Sequence, residues 1–360
     1  MIGNYWNSAY RNLMKRKKFS FINIFGLAIG MASALLMLTY VTFEFSFDKM
    51  HTKYAHIYRV QSTFHEGEVL TDYWATSSFG YASAMKENLA GIEDYTRIAT
   101  HLQPEQIVKY GELTLRENQI AYADPGFFRL FDFELLKGDK KTCLSMPRQV
   151  VITERIASKY FKDEDPIGKI FIFTGAYDKI SCEVTGVMKE MPSNSHIHYS
   201  FLISYKSLPK YMQEYWYKHE AYTYVLLDSP ERKAEIEREF PVMAEKYKTD
   251  EALKNKTWGV SLIPLADIHL TPQVGYEAET KGNRSSMIAL IFAAIAILAI
   301  AWINYINLTV ARSMERAKEV GVRRVVGAFR KQLIHQFLFE DEPDSFCTRR
   351  WLDRIGSSVL

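Results

Sequence analysis

No G-x-x-x-x-G-K-[ST] string occurs in the chain, so it has no phosphate-cradling loop of its own. The chain also lacks an H-E-x-x-H helix signature, a cysteine pair at zinc spacing and a G-x-S-x-G elbow. Cysteine is scarce: Cys143, Cys182 and Cys347 form an odd set, and Cys143 and Cys182 read as isolated buried thiols rather than a disulfide. Excess charge of one sign is missing too, with 45 basic against 42 acidic residues and a net charge of +3. That balance gives no footing for nucleic acid. There is no fixed-period repeat and no low-complexity stretch. His196 and His198 share one strand face without a third metal ligand, and Asp163, Glu164 and Asp165 form an acidic run before Pro166. Both groups read as structural or solvated. A chain without these devices is expected to be no enzyme, with no cofactor or metal of its own.

Two apolar runs carry the strongest signal. Residues 19–43 and 285–311 contain no charge, and each exceeds the roughly 20 residues needed to span a bilayer as a helix. Arg11, Lys15, Arg16, Lys17 and Lys18 precede the first; Arg312, Arg316, Lys318, Arg323 and Arg324 follow the second. Positive flanks stay cytoplasmic, so both termini are expected inside and residues 44–284 outside. The first run is too long for a signal-peptide core of about 7–15 residues, and no small-x-small cleavage site follows it. Residues 1–18 form an interfacial helix with Tyr5, Trp6, Ala9, Tyr10 and Leu13 on one face, set against membrane lipid. Inside the first span, Gly26, Gly30 and Ala34 recur every four residues, a row that lets a second helix approach closely.

The middle segment mixes strand and helix signals. Residues 57–64, 149–152, 169–173, 182–187, 222–227 and 260–264 read as strands; residues 77–89 and 231–247 read as helices. Asp124-Pro125-Gly126 is a turn before a short helical segment at Phe127–Phe131, and Thr153 is an N-cap. The expected fold is a membrane protein with two transmembrane helices flanking a large extracytoplasmic α+β domain in two lobes. Beyond the second span, Val322, Val325, Val326, Phe329 and Leu333 line one face of a helix, with Arg323, Arg324, Arg330 and Lys331 off it. Glu319 precedes Arg323 by four residues, the favourable order for an ion pair. From the residues alone, such a helix either rests on lipid or receives a cytoplasmic partner.

Several strings resemble one family. They are Asn23-Ile24-Phe25-Gly26-Leu27-Ala28-Ile29-Gly30, Phe47-Asp48, Ile57-Tyr58-Arg59-Val60, Phe127-Phe128 to Gly138-Asp139, Asp165-Pro166-Ile167-Gly168-Lys169, Val184-Thr185-Gly186-Val187 and Pro192-Ser193-Asn194-Ser195-His196. The most specific is Ala301-Trp302-Ile303-Asn304-Tyr305-Ile306-Asn307-Leu308, leading into Arg316-Ala317-Lys318-Glu319-Val320-Gly321-Val322-Arg323-Arg324. In order and spacing these are similar to an FtsX-like, MacB-type ABC-transporter permease with its MacB-like core domain. The resemblance implies a permease dimer in the bacterial plasma (inner) membrane, served by a separate cytoplasmic ABC ATPase that binds the ATP. It further implies that residues 312–340 begin the permease domain. There a helix docks on the ATPase through Glu319, Val322, Arg323, Arg324 and Val326.

Family members continue into further spans after this helix. Residues 341–360 are charged and contain no spanning run, so the tail reads as foreign to the pattern and the chain as truncated. A two-span sensory receptor with an external ligand-binding domain is the alternative. A non-transport regulator of cell-wall hydrolases is a third reading with the same topology. The substrate is not legible.

Overall fold

The computed structural model describes residues 17–100, 105–175, 179–248, 257–277 and 281–325. It divides into two compact units, one of residues Met1–Val41 with Ser286–Leu360 and one of Thr42–Ser285. In chain order the elements are α1 (Lys17–Phe45), β1 (Ile57–Glu66), β2 (Val69–Trp74), α2 (Tyr81–Asn88), β3 (Ile92–Ala99), β4 (Gln106–Tyr110) and β5 (Leu113–Glu117). Then come β6 (Ile120–Ala123), α3 (Phe127–Leu130), β7 (Leu135–Lys137), β8 (Gln149–Thr153), α4 (Glu154–Phe161), β9 (Ile170–Thr174) and β10 (Lys179–Met188). Last are β11 (Phe201–Ser204), α5 (Lys210–Gln213), β12 (Ala221–Leu227), α6 (Arg232–Ala244), β13 (Thr257–Pro264) and α7 (Arg284–Val325).

The first unit holds the two long helices. α1 and α7 are each long and apolar enough to cross a membrane, over Phe25–Phe45 and Arg284–Asn307. At 1.5 Å per residue, 21 residues reach about 31 Å, the thickness of a hydrocarbon core. Most large side chains on both helices, such as Leu36, Phe292 and Ile300, are exposed. In water that would be costly; in lipid it is the resting state of a spanning helix. α7 runs for 42 residues without interruption. No proline falls within it, and Ala-Arg-Ser-Met-Glu-Arg-Ala-Lys-Glu, residues 311–319, consists mostly of strong helix formers. Apart from Lys17 and Lys18, which fall in α1, the interfacial helix lies outside the described residues, as do residues 341–360.

The second unit is built on one sheet in the order β13-β1-β12-β3-β6-β11-β8-β10-β9-β4-β5, with β2 added to β1 and β7 to β10. β6 pairs β11, and β8 pairs β10, in parallel; the other pairings are antiparallel. The sheet carries three hydrophobic cores. One core gathers Phe171, Phe173, Phe201, Ile156 and Tyr160 around α4. Another gathers Tyr81, Phe240, Trp258 and Leu262 between α2, α6 and the β1–β13 ribbon. A third, around α3, holds Phe127, Phe131, Phe133 and Tyr224. Thr153 caps α4 as the sequence indicates, its hydroxyl accepting from the Ile156 amide at 3.4 Å. Cys143 and Cys182 are free and buried. Burial pushes their thiols up, to about 11 and about 12, which makes them poor nucleophiles.

Candidate functional site

The chain enters the sheet unit at the end of α1 and leaves it at the start of α7. Both points open onto the same ribbon. β1 begins eleven residues after Ser46 and pairs with β13 over eight positions, from Tyr58 opposite Pro264 to His65 opposite Thr257. Residues 46–56, 265–277 and 281–283, which lie between this ribbon and the helices in sequence, are fastened by polar groups that are almost all buried.

The first fastening centres on Asp48. It is fully buried and has a left-handed backbone, φ 59°, which a short polar side chain tolerates better than most. Its amide donates to the Asn194 carbonyl at 2.9 Å. Its carboxylate accepts from the Ser195 hydroxyl at 3.3 Å and the His196 amide at 3.1 Å. His196 Nδ1 lies 2.8 Å from the other carboxylate oxygen. With its Nδ1 proton toward Asp48, the ring accepts at Nε2 from the Tyr224 hydroxyl at 2.7 Å. Burial alone would raise the Asp48 carboxyl, but the His196 imidazole outweighs it and holds the group below its ordinary range. Two strings singled out in the sequence, Phe47-Asp48 and Pro192-Ser193-Asn194-Ser195-His196, thus meet here.

Next to it, His51 accepts from the Asp132 amide at 3.0 Å. Asp132 in turn accepts from the Thr52 amide and hydroxyl at 2.5 and 2.8 Å. Burial pushes the His51 imidazole down to about 4, so it is neutral near neutral pH.

The second fastening ties the end of α1 to the approach to α7. Glu44 carries its carboxylate 2.8 Å from His269 Nε2, and the His269 ring stacks on Phe47 with centroids 3.5 Å apart. The Gly282 amide donates to the His269 carbonyl at 2.9 Å. A Cβ at position 282 would fall 2.6 Å from Glu44 Oε2, 2.8 Å from Leu270 Cδ2 and 2.9 Å from His269 Nε2, so a side chain there would push against the pair.

The third fastening is the Arg59–Glu277 fork. Two parallel bonds of 2.7 and 2.8 Å join side chains with no exposed area, and Lys281 adds a contact to Glu277 at 2.9 Å. Burial would raise the Glu277 carboxyl, but Arg59 and Lys281 hold it low. Breaking a buried ion pair by removing one partner costs roughly 3–5 kcal/mol, because the other charge is stranded. Such contacts have one good geometry, whereas apolar contacts slide. The arrangement is a set of buried, directional polar contacts. What it can do is pass displacement between chain segments.

The residues singled out in the sequence fall elsewhere. Gly30 lies against Ala301 and Ile297, with would-be Cβ distances of 3.4 and 3.6 Å, and Ala34 is buried; Gly26 has nothing within 4 Å among the described residues. Glu319, Val322, Arg323 and Arg324 lie in the last turns of α7, and Val326 is outside the described residues. His198 is exposed and does not join His196, and among the described residues no cluster of metal-ligating side chains forms. The junction residues Glu44, Arg59, His269, Glu277 and Gly282 were not foreseen. The one available signal was acidic Glu44 and Asp48 directly after an apolar run.

Residues 20–241 match the family described as the MacB-like periplasmic core domain. Over 214 residues the chain is 24% identical to the macrolide export ATP-binding/permease protein MacB of Neisseria meningitidis, covering 59% of this chain and 29% of that protein. Over 197 residues it is 26% identical to the protein of that name from Rhodopseudomonas palustris, covering 54% and 27%. The chain therefore spans under a third of the length of these relatives. A domain of a putative permease protein from Porphyromonas gingivalis superposes with a TM-score of 0.52 at 20% identity, covering 66% of this chain and 98% of that domain.

Proposed function

Because the chain belongs to the MacB-like periplasmic core domain family, we propose that it is a permease-type subunit of an ABC transporter, acting through its polar junction as a mechanical coupler. One observation carries the reading: two helices of spanning length continue, through short polar-fastened segments, into the paired strands β1 and β13. In this reading both tails are cytoplasmic and residues 44–284 are displayed beyond a bacterial inner membrane. A separate ATPase docks near Glu319, Val322, Arg323, Arg324 and Val326, and a second permease copy completes the assembly. Nucleotide-driven movement of α1 and α7 then reaches the sheet unit, which helps move substrate on the outer side. The basic residues flanking both spans support the orientation, and the lack of a phosphate-cradling loop in these residues supports an ATPase elsewhere.

The test is co-purification. Replacing Arg323 and Arg324 by Glu is expected to abolish association with the cognate ATPase while membrane insertion is retained. Undiminished association removes the docking assignment.

A further inference from the structure

The sheet ends differently at its two edges. At one edge α6 packs on β13, and the Leu262 amide donates to the Glu237 carboxylate at 2.7 Å. A side chain there stands where a neighbouring strand would bond. At the other edge lies β5, Leu113–Glu117, which among the described residues pairs with β4 alone. Gly111 and Glu112 form the turn between them, and Gly111 has φ +56°, the left-handed first position that a two-residue hairpin turn uses. The turn decides which backbone groups β5 leaves over. Tyr110 closes it opposite Leu113, so Leu113, Leu115 and Glu117 direct their N–H and C=O groups to β4, and Thr114 and Arg116 direct theirs outward. An unpaired edge of this kind is a template for another strand.

The side chains narrow what that strand can be. Leu115 packs partly on the core around α4, and Leu113, on the same face of the strand, is 39% exposed. Thr114 and Arg116 lie exposed on the opposite face, Arg116 with a long contact of 3.4 Å to the exposed Glu105, and Glu112 is exposed in the turn. Charges on an edge usually discourage pairing. Here they have opposite signs and stand two residues either side of Thr114. In an antiparallel pair of β5 strands, a two-fold axis at Thr114 sets Arg116 of each copy opposite Glu112 of the other and Leu113 opposite Leu115. The two Thr114 residues then face each other, and their outward N–H and C=O groups bond reciprocally. An axis at Leu115 would bring the two arginines onto a diagonal, and an axis at Arg116 would set them face to face, which is unfavourable. Of these three registers, the one at Thr114 matches both backbone and charge.

We propose that β5 joins the sheet unit to a second copy of this chain, edge to edge and antiparallel about Thr114, so that one sheet continues through both copies. The inference rests on the reading that two copies share one membrane in one orientation, and it names the surface through which they meet. A strand of five residues buries far less than the roughly 1,200 Å² at the lower end of standard interfaces, so free units would pair weakly. Copies held in one membrane by their own spans meet at a high effective concentration, where a weak edge contact becomes populated.

The experiment is disulfide cross-linking of the full chain in the membranes of the cells that express it. Cys143 and Cys182 are buried, so a Cys347→Ser background leaves an introduced cysteine as the reactive one. Facing residues of a bonded antiparallel pair have Cα atoms about 5.5 Å apart, within disulfide reach. Thr114→Cys should therefore give a covalent dimer on mild oxidation, whereas Lys109→Cys, exposed one strand further in and opposite Thr114 on β4, should not. Adding Glu112→Arg or Arg116→Glu alone to Thr114→Cys should lower the dimer yield about fivefold or more, since each contact occurs twice by symmetry, and adding both should restore it. All four positions are exposed, so the fold is not at stake. No dimer through position 114, equal yields through 109 and 114, or yields indifferent to the charges each overturn the proposal. Copies carrying two different tags separate this from the reading beneath it. Co-purification without the cross-link at 114 sinks the edge pairing and spares the second copy; no co-purification sinks both.

Discussion

The sheet unit holds buried histidines in opposite settings. His51 and its neighbour His196 sit in the junction among Asp48, Asp132, Ser195 and Tyr224, fastened by directional bonds. His219 sits farther along the ribbon, ringed by Phe64, Trp74, Tyr81 and Trp258 at 5.1–5.4 Å, with the Ser62 hydroxyl its one hydrogen-bond partner among the described residues. Both regions are densely buried, but they resist change differently. The aromatic region has many near-equivalent packings, and edge-to-face rings tolerate small shifts. The junction has one arrangement that satisfies every charge, and any other strands a group. A region built the first way absorbs strain; one built the second way hands it on.

The sharpest way to break this contrast is to change shape in one region and charge in the other. Asp48→Asn keeps the volume and tolerates the left-handed backbone, yet it removes the charge facing His196. We expect a loss of about 1.5–3 kcal/mol, the scale for hydrogen bonds to a charged group that a neutral amide cannot reproduce. Phe64→Leu, a change of shape within the aromatic region, should cost no more than about half that. Urea unfolding of the two variants, followed by Trp fluorescence, checks the ranking. If Phe64→Leu is the more damaging, the distinction between the regions fails.

A smaller effect is expected from Gly282→Ala. The added methyl would meet Glu44 Oε2 at 2.6 Å, so the Glu44–His269 pair must part or the backbone must shift. Overpacking of this kind costs about 1–3 kcal/mol. The loss should be local: exchange of the Gly282 amide rises, while amides of β9 and β10 at the other side of the sheet stay protected. Protection lost evenly over both places would mean that the glycine serves the whole fold, not the junction.

How far the sequence disclosed this depends on the kind of signal. The two spans, the Thr153 cap and strands at residues 57, 149, 182 and 222 were legible, because hydropathy, capping and β-branched runs are local. β2, β3, β4, β5, β6, β7 and β11 were not read. Leu113–Glu117 and Gln106–Tyr110 are short and carry Lys109, Arg116 and Glu117, so their strand character comes from pairing with each other and with β9. The helix read over 77–89 begins only at Tyr81, because Ser77 is taken by a bridge to Ala221. The junction was opaque for a different reason. Asp48 and His196 are 148 positions apart, and Arg59 and Glu277 are 218 apart. Nothing local in either partner announces the other. Motif strings at Phe47-Asp48 and Pro192–His196 marked the places but not their contact.

The gentlest perturbation is acid. His51 has its imidazole pushed down to about 4 from an ordinary 6.5, with burial the largest cause. Its folded form therefore prefers to be neutral, and stability drains away as pH falls from the unfolded value toward the folded one. Asp48, held below its usual range, contributes stability above that range and loses it only at lower pH still. The two act in the same direction. Between about pH 7 and about pH 6 the His51 contribution is under about 1 kcal/mol, so the fold should survive while the junction loosens. Exchange at the Asp132 amide, which His51 accepts, should then rise relative to β12 amides after correction for intrinsic rates. His219 is depressed further, to about 3, by burial alone, and by the same linkage it loses a similar contribution over this window, so the amides around it should respond to a similar degree. His51→Gln, neutral at every pH, should remove the effect at Asp132; if the pH response survives that substitution, a group other than His51 controls the junction.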